Sequence, residues 1–145
     1  MVFRFMAELK DKTDVECENI ERLINELPSY NQLPFLEFLE LAGVATLLHN
    51  FYNGVENIIK LIFKDRNISL PKGESWHKEL LNLAKANEII SEPTLMQLGE
   101  YLAFRHFFSH AYALDLYADK LEPLVEKINE VYQNFKKEIT QFLEK

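Results

Sequence analysis

The sequence contains a single cysteine, Cys17, and only four glycines and five prolines among its 145 residues. One cysteine cannot form an intramolecular disulfide or a thiolate zinc site by itself. The scarcity of glycine and proline argues against a loop-rich β fold, and the 48% hydrophobic content excludes a disordered chain. At this length we expect a single domain spanning residues 1–145.

Long apolar runs are also absent. The longest stretch without a strongly polar residue runs from Leu41 to Leu48, far short of the ~18 residues that a membrane-spanning helix needs. The first residues, MVFRFMAELKDK, reach charged side chains before the apolar segment of a signal peptide could form. The sequence therefore predicts a cytoplasmic protein that does not bind membranes.

Basic residues are fewer than acidic ones: 16 Lys and Arg against 23 Asp and Glu give a formal net charge of −7. Proteins that coat nucleic acid non-specifically usually carry a basic surplus, so this balance argues against that class. Residues 1–59 hold 4 basic and 10 acidic side chains, whereas residues 60–114 hold 7 and 6. The basic residues within 60–85 form either an ordinary solvated face or the flank of an anion site.

Apolar positions recur at three- and four-residue steps along most of the chain, and strand-like alternation is absent. This pattern predicts an all-α antiparallel bundle of four to five helices. Gly54 lies inside the second helix, where a close contact with another helix would explain it. The first predicted helix ends near Pro28, and the last starts around Leu121. Three helices are predicted between them, from about Pro34 to Asp65, from Ser75 to Ala86 and from Ser91 to about Ala113. A loop is predicted over residues 67–74.

Residues 101–112, YLAFRHFFSHAY, combine one arginine, two of the four histidines, a serine and two tyrosines. No acidic residue lies between Glu100 and Asp115. A guanidinium in an otherwise apolar helix must find an anion elsewhere or reach solvent. An isolated arginine or histidine is usually paired within the fold, but this cluster favours a functional site.

Helical geometry separates two members of the cluster. Arg105 and Tyr112, seven residues apart, share a face of a straight helix, as do His106 and His110, four apart. Arg105 and His110 lie about 140° apart. To act on one ligand, either the helix bends, the arginine reaches around, or two copies of the chain meet, which suits a dimeric site.

Metal and nucleotide motifs are weak. The sequence HFFSH, from His106 to His110, has zinc-compatible spacing but lacks the internal glutamate of a metalloprotease helix. Glu74-x-x-His77 matches one unit of a di-iron motif that requires two. We interpret both spacings as coincidental and Trp76 as a core residue. No glycine-rich phosphate loop occurs, and we expect neither a metal nor a cofactor.

The segment Arg105-His106-Phe-Phe-Ser-His110-Ala-Tyr112 resembles the R-x4-H-x-Y motif of the HepT-like ribonuclease toxins in the HEPN superfamily. There the arginine is typically followed by a polar residue, as His106 is here. Three further stretches resemble family segments in the same order, so that the resemblance covers roughly residues 50–140. They are GVENII at 54–59, LPKGESWHKELL at 70–81 and LEPLV at 121–125.

The resemblance implies a toxin of a type VII-like toxin–antitoxin system, a homodimeric, metal-independent endoribonuclease that acts on tRNA or other structured RNA. It implies that Arg105 binds the scissile phosphate, that His110 is the general acid or base, and that His106 has a supporting role. These residue types suit that chemistry. The implied partner is a minimal nucleotidyltransferase antitoxin that transfers AMP to Tyr112.

Two alternatives stay open. A non-catalytic HEPN module would use the same arginine and histidines to bind the nucleotidyltransferase or its nucleotide. A plain helical scaffold would explain the bundle but not the clustered motif. The acidic balance excludes neither of them, and it also permits a ribonuclease whose cationic groups gather in one cleft.

Overall fold

The computed structural model describes residues 2–110 and 115–145, with side chains described from residue 8 onward. The predicted all-α fold is confirmed: these residues form five α-helices and one short 3₁₀ helix, packed as a bundle. The elements are α1 (Val2–Glu26), the 3₁₀ helix (Tyr30–Phe35), α2 (Phe38–Asp65), α3 (Trp76–Ala86), α4 (Glu92–His110) and α5 (Ala118–Leu143).

The second helix starts later than the sequence predicts. Pro34 lies inside the 3₁₀ helix, which the Leu36 N–H closes by donating to the Leu33 carbonyl at 3.1 Å. Helix α2 begins at Phe38 because Glu37 and Glu40 form a capping box, in which each side chain accepts from the other's backbone N–H. Helix α5 starts three residues before the predicted Leu121, at Ala118.

Helix α2 is the central element of the bundle and packs against α1, α3, α4 and α5. A helix that is apolar on several faces is expected to be surrounded by other helices. Its buried side chains are almost all apolar, and Glu56 is the one charged side chain that is buried among those the structure describes. This exception places a carboxylate next to α3, where it contacts His77.

Gly54 is a point of close contact between α1 and α2, as its position inside a helix predicts. A Cβ atom there would lie 2.8 Å from Cγ1 and 3.0 Å from Cδ1 of Ile20. Distances this short do not occur between real side chains in ordinary contact, so only glycine lets the two helices pack at this spacing.

The loop predicted over residues 67–74 is present and leaves α2 through a left-handed residue. Asn67 has φ +57°, and the following Ile68 N–H donates to the Phe63 carbonyl at 2.8 Å. This six-to-one bond satisfies a carbonyl at the helix end, and asparagine tolerates the left-handed backbone. The loop then delivers the chain to the start of α3.

Helix α4 is anchored to α5 at its first turn and again near its middle. Glu138 accepts hydrogen bonds from the Ser91 N–H at 2.6 Å and from the Ser91 and Thr94 hydroxyls at 2.9 and 2.5 Å. The Tyr101 hydroxyl donates to the Leu124 carbonyl at 2.7 Å. None of the helices in the described part of the chain has the length and apolar character of a membrane span.

Candidate functional site

Aromatic packing holds the last two turns of α4, which carry the motif. Phe104 is buried and stacks on Phe108, with ring centroids 5.9 Å apart, and Phe108 packs on His49 of α2 at 5.2 Å. The Lys120 Nζ of α5 lies 4.6 Å from the Phe107 ring centroid. Helix α4 continues as an α-helix through His110, so a break in the helix does not bring Arg105 and His110 together.

Arg105 is half-buried and contacts α2 through a neutral partner. Its Nε donates a hydrogen bond to Oδ1 of Asn53 at 3.1 Å. Among the described residues it makes no ion pair, and residues 111–114 contain no carboxylate. Because an amide fixes the guanidinium without neutralising it, Arg105 keeps its charge and its terminal nitrogens for an external anion.

Helix α2 carries a row of polar side chains that contacts α4 at His49 and Asn53. His49, Tyr52, Asn53 and Glu56 follow at intervals of three and four residues, which places them on one side of the helix. Burial raises the pKa of Tyr52, and the nearby Glu56 carboxylate raises it further. Burial lowers the pKa of His49, and the charge of Arg105 adds to that effect. Both groups are therefore neutral near pH 7.

Glu56 joins α2 to α3 through His77. The glutamate is only 2% exposed, and its Oε2 lies 2.7 Å from Nδ1 of His77. A carboxylate this deeply buried requires a hydrogen-bonded partner, and the imidazole supplies one. The Trp76 ring packs against the His77 ring, with centroids 3.6 Å apart, and the Lys60 Nζ lies 4.5 Å from the Trp76 ring centroid.

A groove of about 650 Å³ runs between α3 and α4, and His77, Arg105 and His106 line it. Its charged lining consists of Lys78 and Arg105 against Glu74, so in the single chain the groove is not electronegative. Of the basic residues within 60–85, Lys78 lies in the groove and Lys60 covers Trp76, whereas Lys85 pairs with Glu92 at 3.4 Å. The polar side chains along the groove are Glu74, Ser75, His77, Lys78, Asn82, Arg105 and His106, and leucines form its apolar part.

The structure brings together two of the four predicted site residues. Arg105 and His106 line the groove side by side. His110 is not among the groove's lining residues; it is exposed, and its ring centroid lies 4.6 Å from that of His106. Tyr112 lies outside the described residues. The Ser109 hydroxyl donates to the Arg105 carbonyl at 2.9 Å, a local helix contact.

The sequence alone did not identify Asn53, Glu56 and His77 as site residues. One signal was available, because Glu56 is the only charged residue between Glu40 and Lys60. His77 was weighed only beside Glu74, whereas its bonded partner lies 21 residues earlier in the chain. Trp76, interpreted as a core residue, is half-buried beside the groove. Within the described residues, no three His, Cys, Asp or Glu side chains converge in the way a metal ion would require.

Comparison with known proteins gives one match. A family model described as HepT-like protein matches residues 43–145, which include most of α2 and all of α3, α4 and α5. Every site residue discussed above lies within this range. No curated protein and no solved structure matches the chain.

Proposed function

Because the chain belongs to the HepT-like protein family, we propose that it is a ribonuclease toxin that cleaves tRNA or another structured RNA without a metal ion. The main support for the proposal is the environment of the Arg105 side chain. Its guanidinium is fixed by Asn53, makes no ion pair within the described residues, and lies beside His106 in an accessible groove. A planar donor of this kind suits a phosphodiester.

The chemistry follows from the residue types. Arg105 holds the scissile phosphate and stabilises the charge that develops on it in the transition state. His110 takes the proton of the ribose 2′-hydroxyl or gives one to the leaving 5′-oxygen, since imidazole titrates near neutral pH. His106, whose ring centroid lies 4.6 Å from that of His110, orients it. Attack by the 2′-hydroxyl leaves a 2′,3′-cyclic phosphate and therefore restricts the substrate to RNA.

A homodimer with its two motifs facing one cleft accounts for the separation of Arg105 from His110. In such a cleft, the arginine of one protomer and the histidine of its partner act on one phosphate. The doubled cationic groups also provide a local site for RNA on a chain of net charge −7. The acidic residues in 1–59 disfavour RNA binding elsewhere.

The partner in this proposal is a minimal nucleotidyltransferase antitoxin, in a type VII-like toxin–antitoxin system. It inactivates the toxin by transferring AMP to Tyr112. On a straight helix Tyr112 shares a face with Arg105, so an adenylate there would occupy the anion site and repel the RNA phosphate. We expect the protein from the inactivated complex to carry one added AMP, and an unmodified Tyr112 in that complex would refute this step.

The test of the proposal is expression toxicity and RNA cleavage by the wild type, Arg105→Ala and His110→Ala, with Glu100→Ala on the exposed side of α4 as the control. We expect toxicity and 2′,3′-cyclic ends from the wild type and the control only. Equal toxicity in all four would contradict the proposal. A wild type that binds the nucleotidyltransferase but cleaves no RNA would favour the non-catalytic module.

A further inference from the structure

The pairing of Glu56 with His77 fixes the chemistry of the imidazole. An ionised carboxylate is only an acceptor, so the short contact at 2.7 Å places a proton on Nδ1 of His77. In the neutral ring, Nε2 then carries the lone pair. A buried carboxylate behind a histidine holds one tautomer and orientation and stabilises the imidazolium that forms when the ring accepts a proton.

His77 is also placed where a substrate could reach it. The side chain retains 20% exposure, whereas Glu56 behind it retains 3%. His77 lines the same groove as Arg105 and His106, on the opposite wall because it comes from α3 and they come from α4. The groove therefore presents an oriented imidazole and an uncompensated guanidinium to the same bound molecule.

We propose that the Glu56–His77 pair is the general base of the ribonuclease reaction, so that the α3–α4 groove of each protomer forms part of the dimer cleft in which the RNA phosphodiester is bound. The inference rests on the proposed function. His77 Nε2 takes the proton of the ribose 2′-hydroxyl, and the 2′-oxygen forms a bond to phosphorus while Arg105 binds the phosphate oxygens. The bond from phosphorus to the 5′-oxygen breaks, and that oxygen takes a proton from His110 of the partner subunit in the proposed dimer, which thereby acts as the acid.

This assignment gives the two imidazoles separate tasks. His77 is oriented by a buried carboxylate, as a base requires, and His110 is exposed beside His106, as a proton donor to a departing strand requires. The charged and titratable groups around His77 are Glu56 and Lys60 from α2, Glu74 and Lys78 from the segment that contains it, and Arg105 and His106 from α4.

The experiment is the pH dependence of RNA cleavage by His77→Asn and Glu56→Gln, with Glu79→Gln as the matched control on an exposed site of α3. Asparagine at 77 can still donate a hydrogen bond to Glu56 but cannot accept a proton, so the variant removes the base and keeps a donor for the buried carboxylate. We expect kcat to fall about 100-fold or more in His77→Asn, and the decline in rate on the acidic side of the wild-type profile to disappear. Glu56→Gln should lose about 10-fold, and Glu79→Gln should match the wild type.

A merely structural role for the pair predicts a different result. Both variants would then lose thermal stability but keep the acidic side of the profile, and that outcome would overturn the inference. Folding is checked by circular dichroism, and Glu56→Gln provides the kinetic comparison if His77→Asn is unstable. If Arg105→Ala loses cleavage but folded His77→Asn retains it, the role of His77 is refuted and the proposed ribonuclease function is not. A wild type without ribonuclease activity refutes both proposals.

Discussion

The Arg105 Nε donates a hydrogen bond to the Asn53 Oδ1 at 3.1 Å and so ties α4 to α2 at the candidate site. This bond uses one of the five N–H donors of the guanidinium. The two terminal nitrogens, which suit bidentate contact with a phosphate, are not used by it. Asn53 thus orients the arginine without neutralising it.

Asn53 is therefore expected to affect catalysis through Arg105. Asn53→Ala should reduce RNA cleavage about 10-fold, the equivalent of one hydrogen bond to a charged group. Asn53→Asp should reduce it further, since a carboxylate would pair with the guanidinium and compete with the RNA phosphate. Steady-state cleavage kinetics measure both effects. Asn57→Ala, one turn along α2 and exposed, is the control, and wild-type activity in Asn53→Asp would contradict the role.

The two glycines of α2 are expected to respond oppositely to alanine. At Gly43 a Cβ atom meets nothing within 4 Å, so Gly43→Ala should stabilise the protein by about 0.5–1 kcal/mol through helix propensity. At Gly54 the Cβ atom would collide with Ile20, and overpacking costs about 1–3 kcal/mol. Urea denaturation should therefore show a net loss of stability for Gly54→Ala. Equal stabilisation by both substitutions would show that α1 shifts to accommodate the added methyl group at position 54 without a loss of stability.

His49 is expected to make stability depend on pH. Burial lowers the pKa of His49 below its ordinary value of 6.5, and Arg105 lowers it further. Around that value the unfolded chain binds more protons than the folded one, so the free energy of unfolding falls as the pH drops. Denaturation at several values between about pH 7.5 and 5.5 should show this slope, and His49→Gln should flatten it. Asn50→Gln, the exposed and non-titrating neighbour, should keep the slope.

Glu138 is expected to stabilise the first turn of α4. Glu138→Ala would leave the Ser91 N–H and the buried Thr94 hydroxyl without their acceptor. An unsatisfied buried polar group costs about 1–3 kcal/mol, so thermal denaturation should show a loss of that size. Glu130→Ala, at an exposed position of α5, should change stability by less than about 0.5 kcal/mol. Equal effects of the two substitutions would show that solvent replaces the Glu138 contacts.

Most of the fold follows from local patterns. The apolar spacing predicts the number and order of the helices, and Gly54 marks a close contact between α1 and α2. The predicted start of α2 at Pro34 was wrong, because proline suits a 3₁₀ turn as well as the first turn of an α-helix. The Glu37–Glu40 capping box instead starts α2 at Phe38. The choice between two such helix starts depends on small differences in free energy, which the spacing of apolar residues does not reveal.

The candidate site was only half predictable for a similar reason. Arg105 and His106 are neighbours in the sequence, so they can be recognised as a cationic cluster without knowledge of the fold. Asn53 and His77 look unremarkable in the sequence, and their roles depend on partners 52 and 21 residues away. Such contacts form only when three helices meet.

By itself, the sequence determined that the chain folds as an all-α bundle, that its acidic residues concentrate near one end, and that a cationic motif lies late in the chain. These properties depend on helical periodicity and on neighbouring residues. The tertiary structure alone decided that Asn53 fixes Arg105, that Glu56 is buried against His77, and that Arg105 and His77 share a groove while His110 lies outside its lining. The physical reason is that a buried charge and an oriented guanidinium each need a partner, and packing of α2 against α3 and α4 selects which side chain becomes that partner.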